Sequence, residues 1–275
     1  MHSVTAHGAQ IPALGFGTFR MSDADTLRMV PAALKLGFRH IDTAQIYGNE
    51  AAVGDGISAS GVARSDIFLT TKVWVENYAP VKFAHSVDES LKKLRTDHVD
   101  LLLLHWPNQA VPLADQIGSL NEAKRQGKVR HIGVSNFTRA LMRDAIGLSD
   151  APLVTNQIEV HPYLDQSAVI SAARKAGLSI TGYYGMADGK VFAEPALKQI
   201  AAHHNKSVAQ IVLRWLVQQD GLIALSKTVS ETRAAENLAI FDFTLNESDM
   251  AAITNLADRN GRLVSPKGLA PDWDT

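Results

Sequence analysis

Short runs of apolar and β-branched residues alternate with longer segments of helical spacing along almost the whole chain. Such runs predict strands, and the segments between them, where apolar positions recur every three or four residues, predict helices. The predicted strands are Leu14–Gly17, Phe38–Ile41, Ile67–Val73, Val99–Leu104, Val129–Val134, Leu153–Ile158, Ser179–Tyr183 and Gly221–Leu225. The pattern is therefore a repeated βα unit.

Helices are predicted between these strands, near residues 24–36, 50–60, 81–95, 114–126, 138–147, 166–176, 194–205 and 231–238. Gly37, Gly127 and Gly177 are stop signals at the ends of three of them. A further helix over Glu247–Leu256, after the cap residue Asn246, has no ninth strand behind it. We expect it to be an addition to the main fold.

The two ends of the chain depart from this alternation. Ser3–His7 and Gln10–Pro12 flank Gly8-Ala9, which predicts a hairpin that plugs one end of a barrel. Residues 259–275 are rich in Gly, Pro and polar residues, which predicts a long loop over a rim. The apolar anchors of this loop are Leu263, Leu269 and Trp273. We expect one domain over residues 1–275, made of the hairpin (1–13), the barrel (14–238) and an extra helix with the C-terminal loop (239–275).

Eight parallel strands with crossover helices can close into a (β/α)8 TIM barrel or spread as a doubly wound α/β sheet. A doubly wound sheet that binds a dinucleotide carries a glycine fingerprint directly after a strand. Gly15-Phe16-Gly17 lacks the third small residue, since Arg20 stands there, and the glycines at positions 54 and 56 fall within a predicted helix. The sequence therefore favours an α/β fold of the TIM-barrel type.

Composition narrows the possible partners. The chain has 275 residues, of which 46% are hydrophobic, and this suits a barrel of ordinary size. Its formal charge of -1 and its pI near 6.8 provide no basic field, so we expect neither nucleic acid nor a membrane surface as a partner. No signal peptide and no run of roughly 18 apolar residues is found, so we expect a cytoplasmic location. The absence of cysteine excludes disulfides and thiolate chemistry.

Four polar residues lie at or just beyond the ends of predicted strands: Asp42, Tyr47, Lys72 and His105. Barrel enzymes carry their chemistry at the carboxyl ends of strands. Each residue alone has an ordinary explanation, such as a turn-forming carboxylate, a solvated ammonium or a hydrogen-bonded core histidine. Together, the Lys72 ammonium is expected to lower the pKa of the Tyr47 phenol, and Asp42 to keep that ammonium charged. His105 would then hydrogen-bond a substrate oxygen.

The segment Gly37–Glu50, which contains Asp42 and Tyr47, resembles the signature of the aldo-keto reductase family. Further motifs follow in the order of the family: Thr71-Lys72-Val73-Trp74, Val99-Asp100-Leu101 through His105-Trp106-Pro107, and Gly133-Val134-Ser135-Asn136-Phe137. Several ordered motifs are more specific than any single match, and the resemblance covers nearly the whole chain.

The resemblance implies NADPH-dependent reduction of aldehydes and ketones to alcohols. Tyr47 would be the general acid, tuned by Lys72 and Asp42, and His105 would orient the carbonyl. Hydride transfer from the nicotinamide, with a proton from Tyr47, requires no metal and no covalent intermediate.

The resemblance also implies a cofactor site, formed by Gly17, Thr18, Ser135, Asn136, Gln157, Tyr183, Lys227, Thr228, Arg233, Glu236 and Asn237. Ser135, Asn136 and Gln157 would bind the nicotinamide carboxamide, and Tyr183 would stack on the ring. In isolation, these polar residues also suit loop and cap hydrogen bonds, and an isolated aromatic residue suits barrel packing.

The residues after the last predicted strand match the family's site for the adenosine 2'-phosphate and the adenine. Lys227 and Arg233 there favour NADP over NAD, because a terminal phosphate calls for charged donors. The alternative is that Arg233 and Glu236 form a surface ion pair on a helix.

Two loops depart from the family's pattern. Tyr183-Tyr184-Gly185-Met186 replaces Tyr-Ser-Pro-Leu, and Leu225-Ser226-Lys227-Thr228 replaces Ile-Pro-Lys-Ser. Both changes remove a proline, so the loop over the pyrophosphate is less restrained than in the family.

Phe19, Trp74 and Trp106 are expected as apolar walls around a small carbonyl compound, although Phe19 also suits a core. The chain ends in Asp258-Arg259-x-x-Arg262-Leu263-Val264-Ser265-Pro266-x-Gly268-Leu269-Ala270-Pro271-x-Trp273. Within the family, this ending resembles that of bacterial 2,5-diketo-D-gluconate reductases, which implies polar dicarbonyls such as 2,5-diketo-D-gluconate or methylglyoxal. Arg259 or Arg262 is then available to a substrate carboxylate.

Two other classes of protein are alternatives to this interpretation of the sequence. A metal-dependent barrel hydrolase needs converging ligands, and the sequence has neither His-x-His on its first strand nor His-Glu-x-x-His, so no metal is expected. An NADP-binding regulatory or sensor subunit with negligible turnover is the non-enzyme alternative. The complete set of four polar residues favours catalysis, and the resemblance suggests a monomer.

Overall fold

A closed barrel of eight parallel strands forms the centre of the computed structural model, which describes residues 2–258 and 260–274. The barrel strands are β3 (Leu14–Gly17), β4 (His40–Asp42), β5 (Phe68–Val73), β6 (Val99–Leu104), β7 (Val129–Ser135), β8 (Leu153–Glu159), β9 (Ser179–Tyr183) and β10 (Leu222–Ser226). They pair in chain order, and β10 closes the ring against β3. The predicted (β/α)8 architecture is confirmed.

Ten α-helices are found in the described ranges: α1 (Asp23–Leu36), α2 (Glu50–Ser60), α3 (Pro80–Leu94), α4 (Leu113–Arg125), α5 (Arg139–Leu148), α6 (Ser167–Lys175), α7 (Pro195–His204), α8 (Val208–Gln218), α9 (Glu231–Leu238) and α10 (Glu247–Thr254). Side-chain caps begin several of them, as at Ser22, Thr138 and Asn246. None of the described helices is long and apolar enough to span a membrane.

Helix α8 is not predicted from the sequence pattern. Six of its eleven residues are buried apolar side chains, from Ile211 to Val217, and it is the second helix between β9 and β10, where a regular βα unit has one. Only three residues separate it from α7. Its start is nevertheless well defined, because Ser207 and Gln210 form a reciprocal capping box.

Strand β4 begins two residues later than the pattern predicts. Gly37 ends α1 in a left-handed conformation with φ of 118°, and the Phe38 amide still donates to the Ala33 carbonyl at 3.0 Å. Phe38 therefore belongs to the helix end and to the core rather than to the strand. The remaining barrel strands lie within one residue of their predicted bounds.

The predicted N-terminal hairpin is present as β1 (Ser3–Ala6) and β2 (Ala9–Pro12). Its turn residues are His7 and Gly8, with φ of 45° and 84°, rather than Gly8 and Ala9 as expected. Two consecutive positive φ values match the twist of the flanking strands. The His7 ring lies 3.0 Å from the Ala176 carbonyl oxygen, so the hairpin packs at the end of the barrel where the strands begin.

The glycines that imitate a dinucleotide fingerprint in α2 have a packing role. A side chain at Gly54 would lie 2.6 Å from the Lys93 carbonyl oxygen at the end of α3. One at Gly56 would lie 2.9 Å from Val30 in α1. The two glycines therefore let α2 pack closely between α1 and α3.

Candidate active site

A cavity with a volume of roughly 1080 Å³ lies at the carboxyl ends of the barrel strands. It is lined by residues of the strand ends and of the loops that follow. All the predicted site residues line it except Thr18 and Lys72, which are fully buried behind its wall. The structure thus brings the predicted catalytic, cofactor and substrate residues to one rim.

Lys72 connects three of the four predicted catalytic residues. Its Nζ donates to Asp42 Oδ1 at 2.6 Å, to the Thr43 carbonyl at 2.8 Å and to Tyr47 Oη at 3.4 Å. Asp42 ends β4, Lys72 lies in the neighbouring β5, and Tyr47 ends the 3₁₀ turn that follows β4. Since an ammonium has three donors, each is directed at one of these groups.

The second oxygen of the Asp42 carboxylate is bound from across the barrel. Gln157 Nε2, on β8, donates to Asp42 Oδ2 at 2.8 Å. Asp42 is therefore held by an ammonium on one side and by an amide on the other. The resemblance assigns Gln157 only to the carboxamide, and its contact with Asp42 is an addition that sequence reasoning missed.

Burial controls the protonation states at this site. It raises the pKa of Tyr47 well above its ordinary value, and the negative charge of Asp42 adds to this rise. The prediction that Lys72 lowers the pKa of Tyr47 is wrong in direction. Desolvation of the phenolate is the largest effect, and the Lys72 ammonium is paired with Asp42, whose charge raises the pKa further. Burial also lowers the pKa of Lys72, which Asp42 opposes. Tyr47 is thus a protonated phenol at neutral pH.

His105 follows β6, and its ring is nearly perpendicular to the rings of Tyr47 and Trp74, with interplanar angles of 76° and 80°. The centroid of the His105 ring lies 5.7 Å from that of the Tyr47 ring and 5.4 Å from that of the Trp74 ring. Burial lowers the pKa of His105 well below its ordinary value, and the nearby Lys72 charge lowers it further. The imidazole is therefore neutral, and its Nδ1 has no hydrogen-bond partner within the described chain.

The side chains expected at the carboxamide are held together by hydrogen bonds of their own. Ser135 Oγ donates to the Gln157 carbonyl at 2.7 Å, and Asn136 Nδ2 donates to the His105 carbonyl at 3.0 Å. Tyr183 Oη donates to Asn136 Oδ1 at 2.7 Å, which fixes the ring against the cavity. Asn136 has φ of 63°, an uncommon value that these contacts maintain.

The charged residues beside α9 are arranged differently. Lys227, Arg233 and Glu236 are exposed at the cavity edge, and neither cation forms an ion pair with any residue in the described ranges. The surface pair considered for Arg233 and Glu236 is therefore not formed. Thr228 Oγ1 accepts the Ser230 amide at 3.1 Å and shapes the turn into α9. Two unpaired cations at the start of a helix fit a bound phosphate group.

The loop after β9, where the sequence lacks a proline, has an unusual backbone. Tyr184, Ala187 and Asp188 all have positive φ, at 65°, 47° and 55°. Asp188 faces Arg20 across the cavity mouth, with 3.8 Å between Arg20 Nη1 and Asp188 Oδ1, and both side chains are largely exposed. The loop therefore lies over the cavity without the proline, at a cost in backbone strain.

Phe19, Trp74 and Trp106, the residues expected as substrate walls, line the cavity. Phe19 is 44% exposed and its ring packs 5.0 Å from that of Tyr47, so it is not a core residue. Sequence reasoning missed further apolar lining from the 3₁₀ turn, from the loop after β9 and from the tail. These residues are Ile46, Met186, Phe192, Val264, Pro266 and, among the predicted anchors of the tail, Leu263 and Leu269.

Arg262 is engaged with other parts of the protein. Its Nη1 lies 3.4 Å from Glu159 Oε2, and its guanidinium lies 3.6 Å above the ring of Trp273. These contacts oppose its predicted availability to a substrate carboxylate. Arg259, the other residue considered for that role, lies outside the described residues. In the part of the chain that the structure describes, no group of three or more His, Cys, Asp or Glu side chains could hold a metal ion.

The barrel with ionisable groups at its carboxyl-end rim is the architecture of a (β/α)8 enzyme. Its family follows from comparison with known proteins: the sequence profile described as the Aldo/keto reductase family matches residues 13–258. The chain belongs to this family, as its motifs indicated.

Relatives and solved structures resemble the chain over nearly its whole length. The methylglyoxal reductase DkgB of Salmonella typhimurium (strain LT2) is 48% identical over 267 residues, which cover 96% of this chain and 99% of that protein. A crystal structure assigned as a 2,5-diketo-D-gluconic acid reductase B is 62% identical, with a TM-score of 0.99 and coverage of 100% of this chain and 98% of that chain. A variant of Gox0644 in complex with NADPH is 33% identical, with a TM-score of 0.90 and coverage of 96% of both chains.

Proposed function

We propose that this aldo-keto reductase reduces small dicarbonyl compounds such as methylglyoxal, with NADPH as the reductant and Tyr47 as the proton donor. The observation that carries the proposal is the hydrogen-bonded series from Asp42 through Lys72 to Tyr47, which ends at the cavity. The same groups argue against a sensor subunit with negligible turnover, because a binding function does not need a buried ammonium directed at a phenol.

Tyr47 and His105 converge on one region of the cavity, where a substrate carbonyl oxygen can accept hydrogen bonds from both. The raised pKa of Tyr47 keeps its proton available for transfer, and the lowered pKa of His105 makes that ring a neutral donor. As negative charge develops on the oxygen, both hydrogen bonds strengthen, and the Lys72 ammonium at 3.4 Å from Tyr47 Oη stabilises the phenolate that remains.

The residues present fit the cofactor. Lys227 and Arg233 have charges that no ion pair satisfies within the described chain, and they suit the 2'-phosphate of NADPH rather than the free hydroxyl of NADH. Ser135, Asn136 and Gln157 line the cavity beside Tyr47 and would hold the carboxamide, with Tyr183 against the ring. When bound, NADPH supplies the hydride that reduces the carbonyl carbon. The complex of the Gox0644 variant with NADPH supports this choice.

The remaining residues of the cofactor proposal surround these groups. They are Gly17, Thr18, Thr228, Glu236 and Asn237. Gly17 ends β3 and its missing side chain keeps the wall open, while the Thr18 hydroxyl donates to the Asp42 carbonyl at 3.2 Å and supports the catalytic side.

The substrate half of the cavity favours an uncharged dicarbonyl. Its walls are Phe19, Trp74, Trp106 and the apolar side chains of the tail, and Arg262 is paired with Glu159. Methylglyoxal, for which the Salmonella relative is named, has no carboxylate that would need a cation. The acidic sugar 2,5-diketo-D-gluconate is thus the weaker candidate. We further propose that the chain acts as a monomeric, single-domain enzyme of the cytoplasm.

The test is NADPH oxidation, followed by absorbance, with methylglyoxal and with 2,5-diketo-D-gluconate. We expect turnover of methylglyoxal with the higher kcat/KM, and a loss of roughly 10²–10⁴-fold in kcat for Tyr47→Phe, since general acid catalysis contributes about that much. The binding of NADPH, measured by fluorescence titration, should be unchanged in the variant. No oxidation with any dicarbonyl would refute the proposal, and equal kcat in the variant would remove Tyr47 as the acid.

A further inference from the structure

Glu159 is a fully buried carboxylate that the proposed reaction does not use. It is the last residue of β8, and none of its side chain is exposed. Burial of a charged carboxylate is costly unless hydrogen bonds replace its water. Hydrogen-bond donors must therefore surround the Glu159 carboxylate, and the segments that provide them show which part of the protein the residue holds.

The donors come mainly from the C-terminal tail. Glu159 Oε1 accepts the Leu263 amide at 2.8 Å, and Oε2 accepts the Val264 amide at 3.1 Å. Arg262 Nη1 approaches Oε2 at 3.4 Å. Three consecutive tail residues are thus bound by a single side chain of the barrel.

His161 completes the set. Its Nε2 lies 3.0 Å from Glu159 Oε1, while its Nδ1 accepts the Tyr163 amide at 3.2 Å. Because Nδ1 is an acceptor, Nε2 carries the proton that is donated to Glu159. Gln166 Nε2 donates to the Glu159 main-chain carbonyl at 2.9 Å and so holds the backbone of this residue.

The tail that Glu159 binds is one wall of the active-site cavity. Leu263 and Val264 line the cavity directly, and Ser265, Pro266 and Leu269 continue the wall. The strand that carries Glu159 also carries Gln157, which donates to Asp42. Strand β8 therefore contacts both the Asp42 carboxylate, through Gln157, and the tail wall of the cavity, through Glu159.

A second contact holds the same segment from the outside. Trp273 Nε1 donates to Ser265 Oγ at 3.1 Å, and its ring lies under the Arg262 guanidinium and against the edge of Trp106. Trp106 in turn lines the cavity. The Trp273 side chain is partly exposed, whereas the Glu159 carboxylate is fully buried, so loss of the Glu159 hydrogen bonds is expected to cost more.

We infer that Glu159 is a positioning residue for substrate: its carboxylate clamps the main chain of Leu263 and Val264 and so fixes the substrate wall of the cavity. This inference rests on the proposed reduction of a small dicarbonyl and deepens it. The residue acts through the tail and does not contact the reacting atoms. Its loss should therefore weaken substrate binding and leave the chemical step and the cofactor largely unaffected.

The test uses Glu159→Gln, which keeps the shape of the side chain but replaces one acceptor oxygen with an NH₂ that cannot accept from the Val264 amide. We expect KM for methylglyoxal to rise about tenfold, kcat to change less than about twofold, and the Kd of NADPH to stay constant. Hydrogen exchange should accelerate in the peptide that contains residues 262–266 and stay unchanged in β6. These two readouts separate the clamp from general destabilisation, which would accelerate exchange throughout the barrel and lower kcat.

Two further variants complete the experiment. Arg262→Gln leaves the carboxylate and both tail amides in place, so its effect on KM should be smaller than that of Glu159→Gln. Asp274→Asn is the control variant, since it weakens the tail at its ion pair with Arg139 and Asp274 does not line the cavity. It should leave KM unchanged.

Two results would overturn the inference: wild-type KM and wild-type exchange in Glu159→Gln, or a larger effect in Asp274→Asn. If Glu159→Gln does not fold, Glu159→Asp replaces it, and wild-type exchange over residues 262–266 in that variant counts against the clamp. Failure of the wild-type protein to reduce methylglyoxal would refute the proposed function, while the exchange measurements would still decide whether Glu159 holds the tail.

Discussion

At the ends of β4 and β5 the charged side chains bind each other inside the barrel, whereas beside α9 the charged side chains are exposed and unpaired at the same cavity. Lys72 is completely buried and uses its three donors on Asp42, Thr43 and Tyr47. Arg233 has no ion pair within the described residues. The side proposed for catalysis thus has its charges paired by the fold itself, and the side proposed for phosphate binding would be completed by its ligand.

This difference has a physical reason. A buried ammonium is tolerated only when carboxylate and carbonyl oxygens replace its water, so the catalytic groups must be satisfied by the fold itself. An exposed guanidinium is hydrated and needs no partner until a phosphate displaces the water. Substitutions on the first side should therefore change both folding and catalysis, and substitutions on the second side should change cofactor binding alone.

The largest effect is expected for Lys72→Met. Removal of the ammonium leaves the Asp42 charge buried without its partner, which should lower the free energy of unfolding by about 3–5 kcal/mol, and kcat should fall by roughly 10³-fold. Denaturant unfolding and NADPH oxidation measure the two losses. Addition of Asp42→Asn should restore much of the stability and none of the activity. If Lys72→Met alone had wild-type stability, the Lys72–Asp42 pair would not be coupled to folding.

Arg233→Ala should affect binding and leave stability intact. Loss of one charge-assisted phosphate contact should raise the Kd of NADPH by about 10- to 100-fold, while the free energy of unfolding should change by less than about 0.5 kcal/mol. The Kd of NADH, which lacks the 2'-phosphate, should not change. Fluorescence titration provides both constants, and Arg143→Ala on α5 is the control for loss of an exposed arginine. Equal weakening of NADPH and NADH would remove the 2'-phosphate role.

The buried His40 should make the free energy of unfolding depend on pH. Burial lowers the pKa of His40 from 6.5 to about 4, so the unfolded chain binds a proton that the folded chain excludes between these two values. Stability from this residue is present above the unfolded pKa and is lost as pH falls toward the folded pKa. The loss should be about 2 kcal/mol between pH 7 and pH 5. Denaturant unfolding measures the free energy of unfolding at pH 7 and at pH 5. The difference between the two values should be smaller in His40→Gln than in the wild-type protein, and it should equal the wild-type difference in the exposed control His203→Gln.

The smallest effect is expected in the pH profile of catalysis. The lowered pKa of His105 and the raised pKa of Tyr47 place both titrations outside the neutral range, so kcat should vary less than about twofold between about pH 5.5 and pH 7.5. Steady-state rates with saturating NADPH measure this. An inflection near pH 6.5 would show that His105 titrates like an exposed imidazole and that the catalytic side is less shielded than the structure indicates.

Much of the barrel could be predicted because its strands are short apolar runs that end in polar residues. Asp42, Lys72 and His105 stood out for this reason, and the order of the motifs indicated the family before any geometry was known. Helix α8 was missed because a regular βα alternation has one helix between β9 and β10, and α7 already occupies that interval. The start of β4 was misplaced because the turn at Gly37 continues the contacts of α1 through Phe38.

Other features depend on distances that no local pattern encodes. Gln157 and Asp42 are 115 residues apart in sequence, and only closure of the barrel brings them to 2.8 Å. The same holds for Glu159 and Leu263, which are 104 residues apart and bind at 2.8 Å. The pKa of Tyr47 was predicted in the wrong direction because the distance to one cation was considered without the desolvation that burial imposes.

The sequence by itself determined the eight-fold βα alternation, the family and the residue types at the rim, because periodicity and ordered motifs are local properties of the chain. Only the tertiary structure decided which charges are buried and paired, which remain exposed to receive a ligand, and which residue holds the tail over the cavity. Those properties depend on solvent exclusion and on contacts between distant segments, and both arise when the barrel closes.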